Sequence, residues 1–215
     1  MFYASIIIRE PKISFPFMNS YHTIEKPTVA EYKDRGSRFL AFAFPIQSSE
    51  EFKKELKVLK EEHPKAVHHC FAYRIGIDGI HCRSGDDGEP SGSAGKPILG
   101  QIDSKNLTNI AVIVVRYFGG TLLGIPGLIN AYKTVTSLCL QLTPIIEKPV
   151  LANYTLEFDY TLMNEVMIVI KRFDCEVLLS EMQLFCRMEV GIPKTSEDDC
   201  VNKLREHYGI QLTKM

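Results

Sequence analysis

The feature that most constrains the fold is the apolar run Ile-Ala-Val-Ile-Val-Val at residues 110–115. A half-buried strand alternates apolar and polar residues, whereas an unbroken run of this kind is typical of a strand buried on both faces. Glycines follow at positions 119, 120, 124 and 127, and apolar residues at helical spacing then predict a helix over about residues 126–142. A buried strand, a glycine-rich turn and a helix together indicate the α/β class.

The residues before this run predict three more strands and two helices. The strands are expected, from the distribution of apolar residues, over residues 22–32, 37–46 and 66–77. Ser48 and Glu51 form the capping-box pattern that begins a helix. His63 ends that helix, because a residue before proline disfavours the helical conformation. A short helix is expected near residues 98–102.

The last third of the chain follows a different pattern. Apolar alternation predicts strands over residues 150–158, 175–179, 184–192 and 210–213. Thr161 is expected to cap one helix between these strands and Ser196 to open another, since both residues precede apolar stripes at helical spacing. The order strand-helix-strand-strand-helix-strand is that of a ferredoxin-like unit.

These two patterns predict an α/β (α+β) protein with two domains. We expect an N-terminal extension at residues 1–18, a first domain over residues 19–147 and a ferredoxin-like domain over residues 148–215. Glu147-Lys148-Pro149 is interpreted as the linker between the domains. Met18 is a second candidate start of the native chain, with the upstream residues as an extension.

The composition argues against some classes of function. Twenty-five basic and 26 acidic side chains give a formal net charge of −1. This disfavours a protein whose whole surface binds nucleic acid, although a local basic patch is compatible with it. No segment approaches the roughly 20 apolar residues of a membrane span. The six cysteines contain no C-x-x-C pair and are interpreted as reduced core residues, so we expect a cytoplasmic protein without a membrane partner.

The first candidate site is the loop Asp-Asp-Gly-Glu-Pro-Ser-Gly-Ser-Ala-Gly-Lys-Pro at residues 86–97. A segment without large apolar side chains between well-patterned elements is more often a site than a spacer. Its carboxylates could hold a cation, position a water molecule or cap the next helix, and its backbone amides could receive an anion. It lacks the first glycine and the Ser or Thr of a Walker loop. The candidate residues are Asp86, Asp87, Glu89, Ser91, Ser93 and Lys96.

The second candidate segment contains His68 and His69. Neighbours in a strand point to opposite faces, so one histidine could reach a site while the other lies in the core. A metal site that adds His81 and Cys82 matches no zinc spacing, and we predict neither a metal nor a cofactor.

The third candidate segment contains Arg116 at the end of the buried strand. Its guanidinium could bind a phosphate or a carboxylate, or it could pair with Asp86 or Asp87 of the loop. The glycine-rich turn that follows could bind an anion or could simply allow close packing of helix and sheet. The candidate residues here are Arg116, Tyr117, Gly119 and Gly120.

The segments H-H-C-F-A-Y, D-D-G-E-P-S-G-S-A-G-K-P and V-V-R-Y-F-G-G-T-L-L-G together resemble the IMPACT/YigZ family over about residues 20–213. The resemblance implies a first domain with the fold of the second domain of a small-subunit ribosomal protein, including a left-handed crossover. It also implies a second domain similar to the last domain of elongation factor G. Eukaryotic relatives regulate translation by competing for the activator of a stress-response kinase. Because they lack this second domain, that partner is not transferred here.

Two functions are weighed for this chain. The favoured one is a cytosolic binding protein that regulates translation and contacts RNA, the ribosome or a translation factor. The alternative is a small enzyme for an anionic, phosphorylated or peptide-like substrate. In it Asp87 or Glu89 serves as base or metal ligand, His69 as acid or base, and Arg116 and Lys96 hold the anion.

A third interpretation is structural and treats the acidic loop as an ion-paired cap for Arg116. All residue assignments require the sheet to bring Asp87 and Arg116 into one pocket. The sequence predicts no oligomeric state.

Overall fold

The computed structural model describes residues 19–77 and 81–215. The expected N-terminal extension at residues 1–18 therefore lies outside the described residues. In chain order the elements are β1 (Ser20–Ile24), β2 (Thr28–Asp34), β3 (Ser37–Pro45), α1 (Ser49–Glu62), β4 (His68–Ile75), β5 (His81–Gly85), α2 (Gly95–Ser104), β6 (Ile110–Tyr117), α3 (Gly124–Gln141), β7 (Ile145–Pro149), β8 (Leu151–Asp159), α4 (Met163–Arg172), β9 (Glu176–Glu181), β10 (Phe185–Pro193), α5 (Glu197–Arg205) and β11 (Gln211–Lys214).

The first part of the chain forms an antiparallel sheet in the order β2-β3-β6-β4-β5. Helices α2 and α3 pack on one face of this sheet, where Val112, Val114 and Tyr132 join the larger core. Helix α1 packs on the other face, where Phe52 and Ile113 belong to a smaller core. The central strand β6 is covered on both sides, as its apolar run predicts.

The register of this sheet places three side chains in one row. Arg116 of β6 lies opposite Phe39 of β3 on one side and opposite His68 of β4 on the other. The row stands near the end of β6, on the face that carries α2 and α3. The loop between β5 and α2 returns to this same place.

The last part of the chain forms a second antiparallel sheet in the order β11-β8-β10-β9. Numbered within this unit, the order is 4-1-3-2, with α4 and α5 as the two crossover helices. Leu156, Met188 and Leu204 belong to its own buried core. The predicted ferredoxin-like architecture is confirmed.

The strands differ from the sequence predictions in three places. Residues 22–32 form two strands, β1 and β2, separated around Pro27, which cannot donate to a sheet ladder. Residues 147–149 are not a linker but belong to β7, which pairs with β1. Strand β5 was not predicted, because its residues carry almost no apolar signal. The β1–β7 pairing joins segments more than a hundred residues apart, so no local pattern announces it.

The predicted helix caps were partly right. The Glu51 amide donates to Ser48 Oγ at 3.2 Å, which confirms the start of α1. Thr161 is not a cap, because its own amide donates to the carboxylate of Asp159 at 2.9 Å. Ser196 lies directly before α5, as expected, and its hydroxyl donates to the Pro193 carbonyl at 3.3 Å instead of accepting from an amide of the helix.

Candidate functional site

The acidic loop is organised by the side chain of Asp86. Its two carboxylate oxygens accept hydrogen bonds from the backbone amides of Gly92 at 2.8 Å, Gly95 at 2.8 Å and Ala94 at 3.1 Å. Burial acts to raise the pKa of Asp86, but these three amides outweigh it and hold the pKa below its ordinary value. Asp86 therefore holds the loop closed and satisfies amides at the start of α2, which is a positioning role.

The centre of the site is a buried ion pair. Arg116 Nη1 donates to Glu89 Oε1 at 2.6 Å, and the two residues are only 5% and 8% exposed. The Tyr132 hydroxyl of α3 donates to the same carboxylate oxygen at 2.7 Å. The expected partner of Arg116, Asp86 or Asp87, was wrong. The loop turns so that Glu89 alone of its three carboxylates points inward against β6.

His68 adds a titratable group to this pair. Its Nε2 lies 3.8 Å from Glu89 Oε1, and its Nδ1 lies 2.7 Å from the backbone carbonyl of Asp87. A carbonyl only accepts hydrogen bonds, so this contact requires Nδ1 to carry the proton. His68, Glu89 and Arg116 thus meet at one point of the sheet, drawn from two strands and a loop.

Cys70 lies directly beneath the ion pair. Its Sγ donates to the Asp86 carbonyl at 3.0 Å and lies 3.3 Å from the Tyr132 hydroxyl. Burial raises the pKa of the Cys70 thiol well above its ordinary value, and burial likewise raises the pKa of Tyr132. A buried thiol of this kind is inert as a nucleophile.

Asp87 and His69 form a separate group towards α1. Asp87 Oδ2 accepts the His69 backbone amide at 2.6 Å, and Lys60 Nζ lies 3.9 Å from Asp87 Oδ1. The His69 ring lies on the face of β4 opposite to His68, and burial lowers its pKa. The loop therefore joins two neighbouring groups of polar residues, one on each face of β4, instead of forming one pocket around Asp87 and Arg116.

Three other predicted residues make structural contacts. Ser93 Oγ donates to the Pro90 carbonyl at 2.7 Å within the loop. The Tyr117 hydroxyl lies 2.9 Å from His63 Nδ1. The Gly119 amide donates to Ser37 Oγ at 3.2 Å, and its Cα packs against the backbone at the start of β3.

The remaining predicted residues lie at the surface. Ser91 and Lys96 are exposed on the loop and in the first turn of α2, and the Lys96 side chain runs beside Gly92. Gly120 is exposed with φ +84° in the turn after β6. These residues do not meet the buried Glu89–Arg116 pair.

A pocket of about 330 Å³ opens above the ion pair. His68, Glu89 and Arg116 form its polar floor, and Leu123 and Leu128 lie in its wall. Its rim, which we call the apolar rim, consists of Val67, Phe118, Leu122 and Ile125. The rim side chains are 54%, 47%, 81% and 53% exposed, respectively.

Sequence reasoning missed the apolar rim and the role of Tyr132. Tyr132 fitted the apolar stripe of its helix and was assigned only to the core. The signal for the rim was present, because Phe118, Leu122 and Ile125 interrupt a glycine-rich turn where polar residues are usual. Large apolar side chains exposed together are informative, whereas a single one is not.

The geometry limits the chemistry of this site. Glu89 neutralises the guanidinium of Arg116, so little charge remains there for an anionic ligand. The cation also lies over the rings of Phe39 and Phe118, at 5.4 and 5.8 Å from their centroids. Within residues 19–77 and 81–215, no cluster of three metal-ligating side chains is found. The pocket is thus arranged to receive an apolar group against a polar floor.

Comparisons with known proteins agree with the resemblance found in the sequence. The family described as the Impact N-terminal domain matches residues 35–140. The chain is 31% identical to the IMPACT family member YigZ of Escherichia coli over 191 residues, which cover 88% of this chain and 94% of that protein. A protein called Protein IMPACT homolog in Saccharomyces cerevisiae is 40% identical over 96 residues, covering 42% of this chain and 36% of its own length.

A crystal structure of a hypothetical protein superposes with a TM-score of 0.74. It shares 30% identity and covers 93% of this chain and 98% of its own. Across the described segments, no helix combines the length and apolarity that crossing a membrane requires.

Proposed function

The chain belongs to the IMPACT family, and from this premise we propose that it is a binding protein that regulates translation by engaging a protein of the translation machinery. The regulatory role follows what the family resemblance implies. The class of partner, a protein in preference to RNA, is argued from the pocket above Glu89 and Arg116.

The apolar rim is the observation that carries this proposal. Four exposed apolar side chains surround one pocket, and they would remain in water unless a partner covered them. Contiguous exposed apolar side chains mark surfaces that bind other proteins, while nucleic-acid sites depend on free cations. The pocket volume suits one or two apolar side chains of a partner.

The charges near the pocket support the same choice. Arg116 is paired and buried, Lys60 lies 3.9 Å from Asp87, and the exposed Lys96 does not line the pocket. A phosphate backbone would find few uncompensated cations here. The enzyme alternative loses Arg116, one of its two proposed anion-binding residues, for the same reason, while Lys96 lies exposed outside the pocket.

Site-specific photo-crosslinking tests the proposal directly. A photo-reactive amino acid replaces Leu122, and cells are irradiated before lysates are treated with ribonuclease and separated on sucrose gradients. We expect crosslinks from position 122 to a ribosomal protein or a translation factor. Ile168 is the matched control, since it is 65% exposed but lies on α4 of the second unit.

Substitution of the rim provides the second measurement. Leu122→Glu combined with Ile125→Glu is expected to weaken co-sedimentation with the translation partner at least about tenfold, since it places charges where apolar contacts form. Ile168→Glu should bind as the unchanged protein does. Crosslinks from position 122 to RNA alone, or equal loss of binding by the control variant, would count against a protein partner at this pocket.

A further inference from the structure

We propose that Cys175 and Cys200 form a reversible disulfide site, oxidised by a low-molecular-weight disulfide such as oxidised glutathione. The two thiols come from different segments of the second core. Cys175 stands between α4 and β9, and Cys200 lies in the first half of α5. A bond between them would join α5 to the segment just before β9, which is an edge strand of the second sheet.

The distance between the sulfur atoms supports this pairing. Cys175 Sγ and Cys200 Sγ are 3.6 Å apart, and a disulfide bond of about 2.05 Å requires each to approach by less than about 1 Å. Cys200 is fully buried and Cys175 is half-buried, so an oxidant reaches the pair through Cys175. The Cys175 amide is also fixed by a hydrogen bond to the Ile170 carbonyl at 2.9 Å.

The other buried thiols have different partners. Cys139 Sγ contacts the carbonyls of Thr28 and Ala41, and Cys186 Sγ contacts that of Gln183. Cys70 contacts a carbonyl and a hydroxyl, as described above. In the part of the chain that the structure describes, the thiol–thiol contact within hydrogen-bond range is therefore that of Cys175 with Cys200.

The pKa values of the two thiols are shifted in opposite directions. The hydrogen bond from Cys200 lowers the pKa of Cys175, whereas the same contact raises the pKa of Cys200. Because the thiolate is the reactive form, Cys175 is the attacking residue. Once Cys175 is bonded to glutathione it carries no negative charge, so its contribution to the raised pKa of Cys200 is removed, while the contribution of burial remains.

The reaction is a thiol–disulfide exchange in two steps. The Cys175 thiolate attacks one sulfur of oxidised glutathione, forming a mixed disulfide and releasing one glutathione thiolate. Cys200 then loses its proton to solvent and attacks the Cys175 sulfur, which forms the protein disulfide and releases the second glutathione thiolate. Two protein thiols are oxidised, and one glutathione disulfide is reduced to two thiols.

Redox titration of the full chain tests this inference. The experiment uses the Cys82→Ser background, because Cys82 is exposed and would react independently. The protein is equilibrated with mixtures of reduced and oxidised glutathione, quenched with an alkylating agent and digested with trypsin. We expect a linked pair of peptides, residues 173–187 and 195–203, that dithiothreitol separates.

Variants and melting temperature distinguish the outcomes. Cys200→Ser should accumulate the glutathione adduct at Cys175, and Cys175→Ser should form neither adduct nor link. Oxidation should raise the melting temperature of the second unit by about 5–10 °C and should leave that of Cys200→Ser unchanged. A stable glutathione adduct at Cys175 in the protein that retains Cys200, or a bond from Cys175 to Cys186, would overturn the inference.

Discussion

At the scale of single residues, the site depends on how one carboxylate is satisfied. Glu89 Oε1 accepts from Arg116 and from Tyr132, and His68 stands within 4 Å of it. Moving a charge from water into the protein interior is costly unless its partners there replace the lost hydration. The ion pair is therefore both the floor of the pocket and a point where the fold is sensitive to substitution.

Replacing Arg116 by methionine should destabilise the protein strongly. Arg116→Met leaves the Glu89 carboxylate buried without its cation, and such a loss costs about 3–5 kcal/mol. The free energy of unfolding in urea, followed by circular dichroism, measures it. The double variant with Glu89→Gln should cost less than the sum of the two single variants, because neither charge is then left alone.

The pair Arg38–Glu31 provides the matched control. Its nitrogen and oxygen are 2.9 Å apart, but both side chains are exposed to solvent, so Arg38→Met should cost much less than Arg116→Met. If Arg116→Met cost no more than Arg38→Met, the buried pair would not stabilise the site.

At the scale of elements, the sequence predicted those whose signal is local. The apolar run of β6 and the capping box of α1 each lie within one window of the chain, and both elements form where they were expected. Strand β7 was taken for a linker because its partner β1 lies at the other end of the first unit.

The site was predictable to the same extent. The candidate residues of the loop and β6 were visible as polar residues in apolar surroundings. Which carboxylate turns inward to Arg116 was not, since it depends on the Asp86-centred hydrogen bonds and the positive φ of Asp87 and Gly88.

The turn after β6 makes a second prediction possible, because two backbone segments touch there. A Cβ added to Gly119 would lie 1.8 Å from the Gly36 carbonyl carbon and 2.1 Å from the Ser37 amide nitrogen. Gly119→Ala must therefore separate β6 from the start of β3, and we expect a loss of about 3 kcal/mol or more in the free energy of unfolding.

Two other glycines serve as controls with different expected effects. Gly100 lies within α2 with nothing within 4 Å of an added Cβ, so Gly100→Ala should stabilise by about 0.5–1 kcal/mol through helix propensity. Gly120 has equal space but a φ of +84°, so Gly120→Ala should cost about 1–2 kcal/mol. Equal stability of the Gly119 and Gly120 variants would contradict the close approach of the two segments.

At the scale of the whole molecule, the described residues form two groups of hydrophobic cores, two cores on the faces of the first sheet and one core against the second sheet. The first sheet is covered by residues from β1 to α3, and the second core draws only on residues from β8 onward. The pocket above Glu89 lies wholly in the first group, and the thiol pair lies wholly in the second. The proposed binding site and the proposed redox site thus belong to separately packed parts of one chain.

If the two parts unfold separately, a cavity in one core should leave the amides around the other core protected from hydrogen exchange. Leu156 is a fully buried residue of β8, the strand that lies between β10 and β11 in the sheet. Leu156→Ala should lower the free energy of unfolding by about 2–5 kcal/mol. Hydrogen exchange should then accelerate in β8–β11 while β3 and β6 remain protected. Ile98→Ala, which opens a cavity in the first core, should give the opposite pattern, because no buried core residue is shared between the two. Equal loss of protection in both sheets with either variant would mean that the molecule unfolds as one cooperative unit, and the predicted division near residue 148 would then have no energetic meaning.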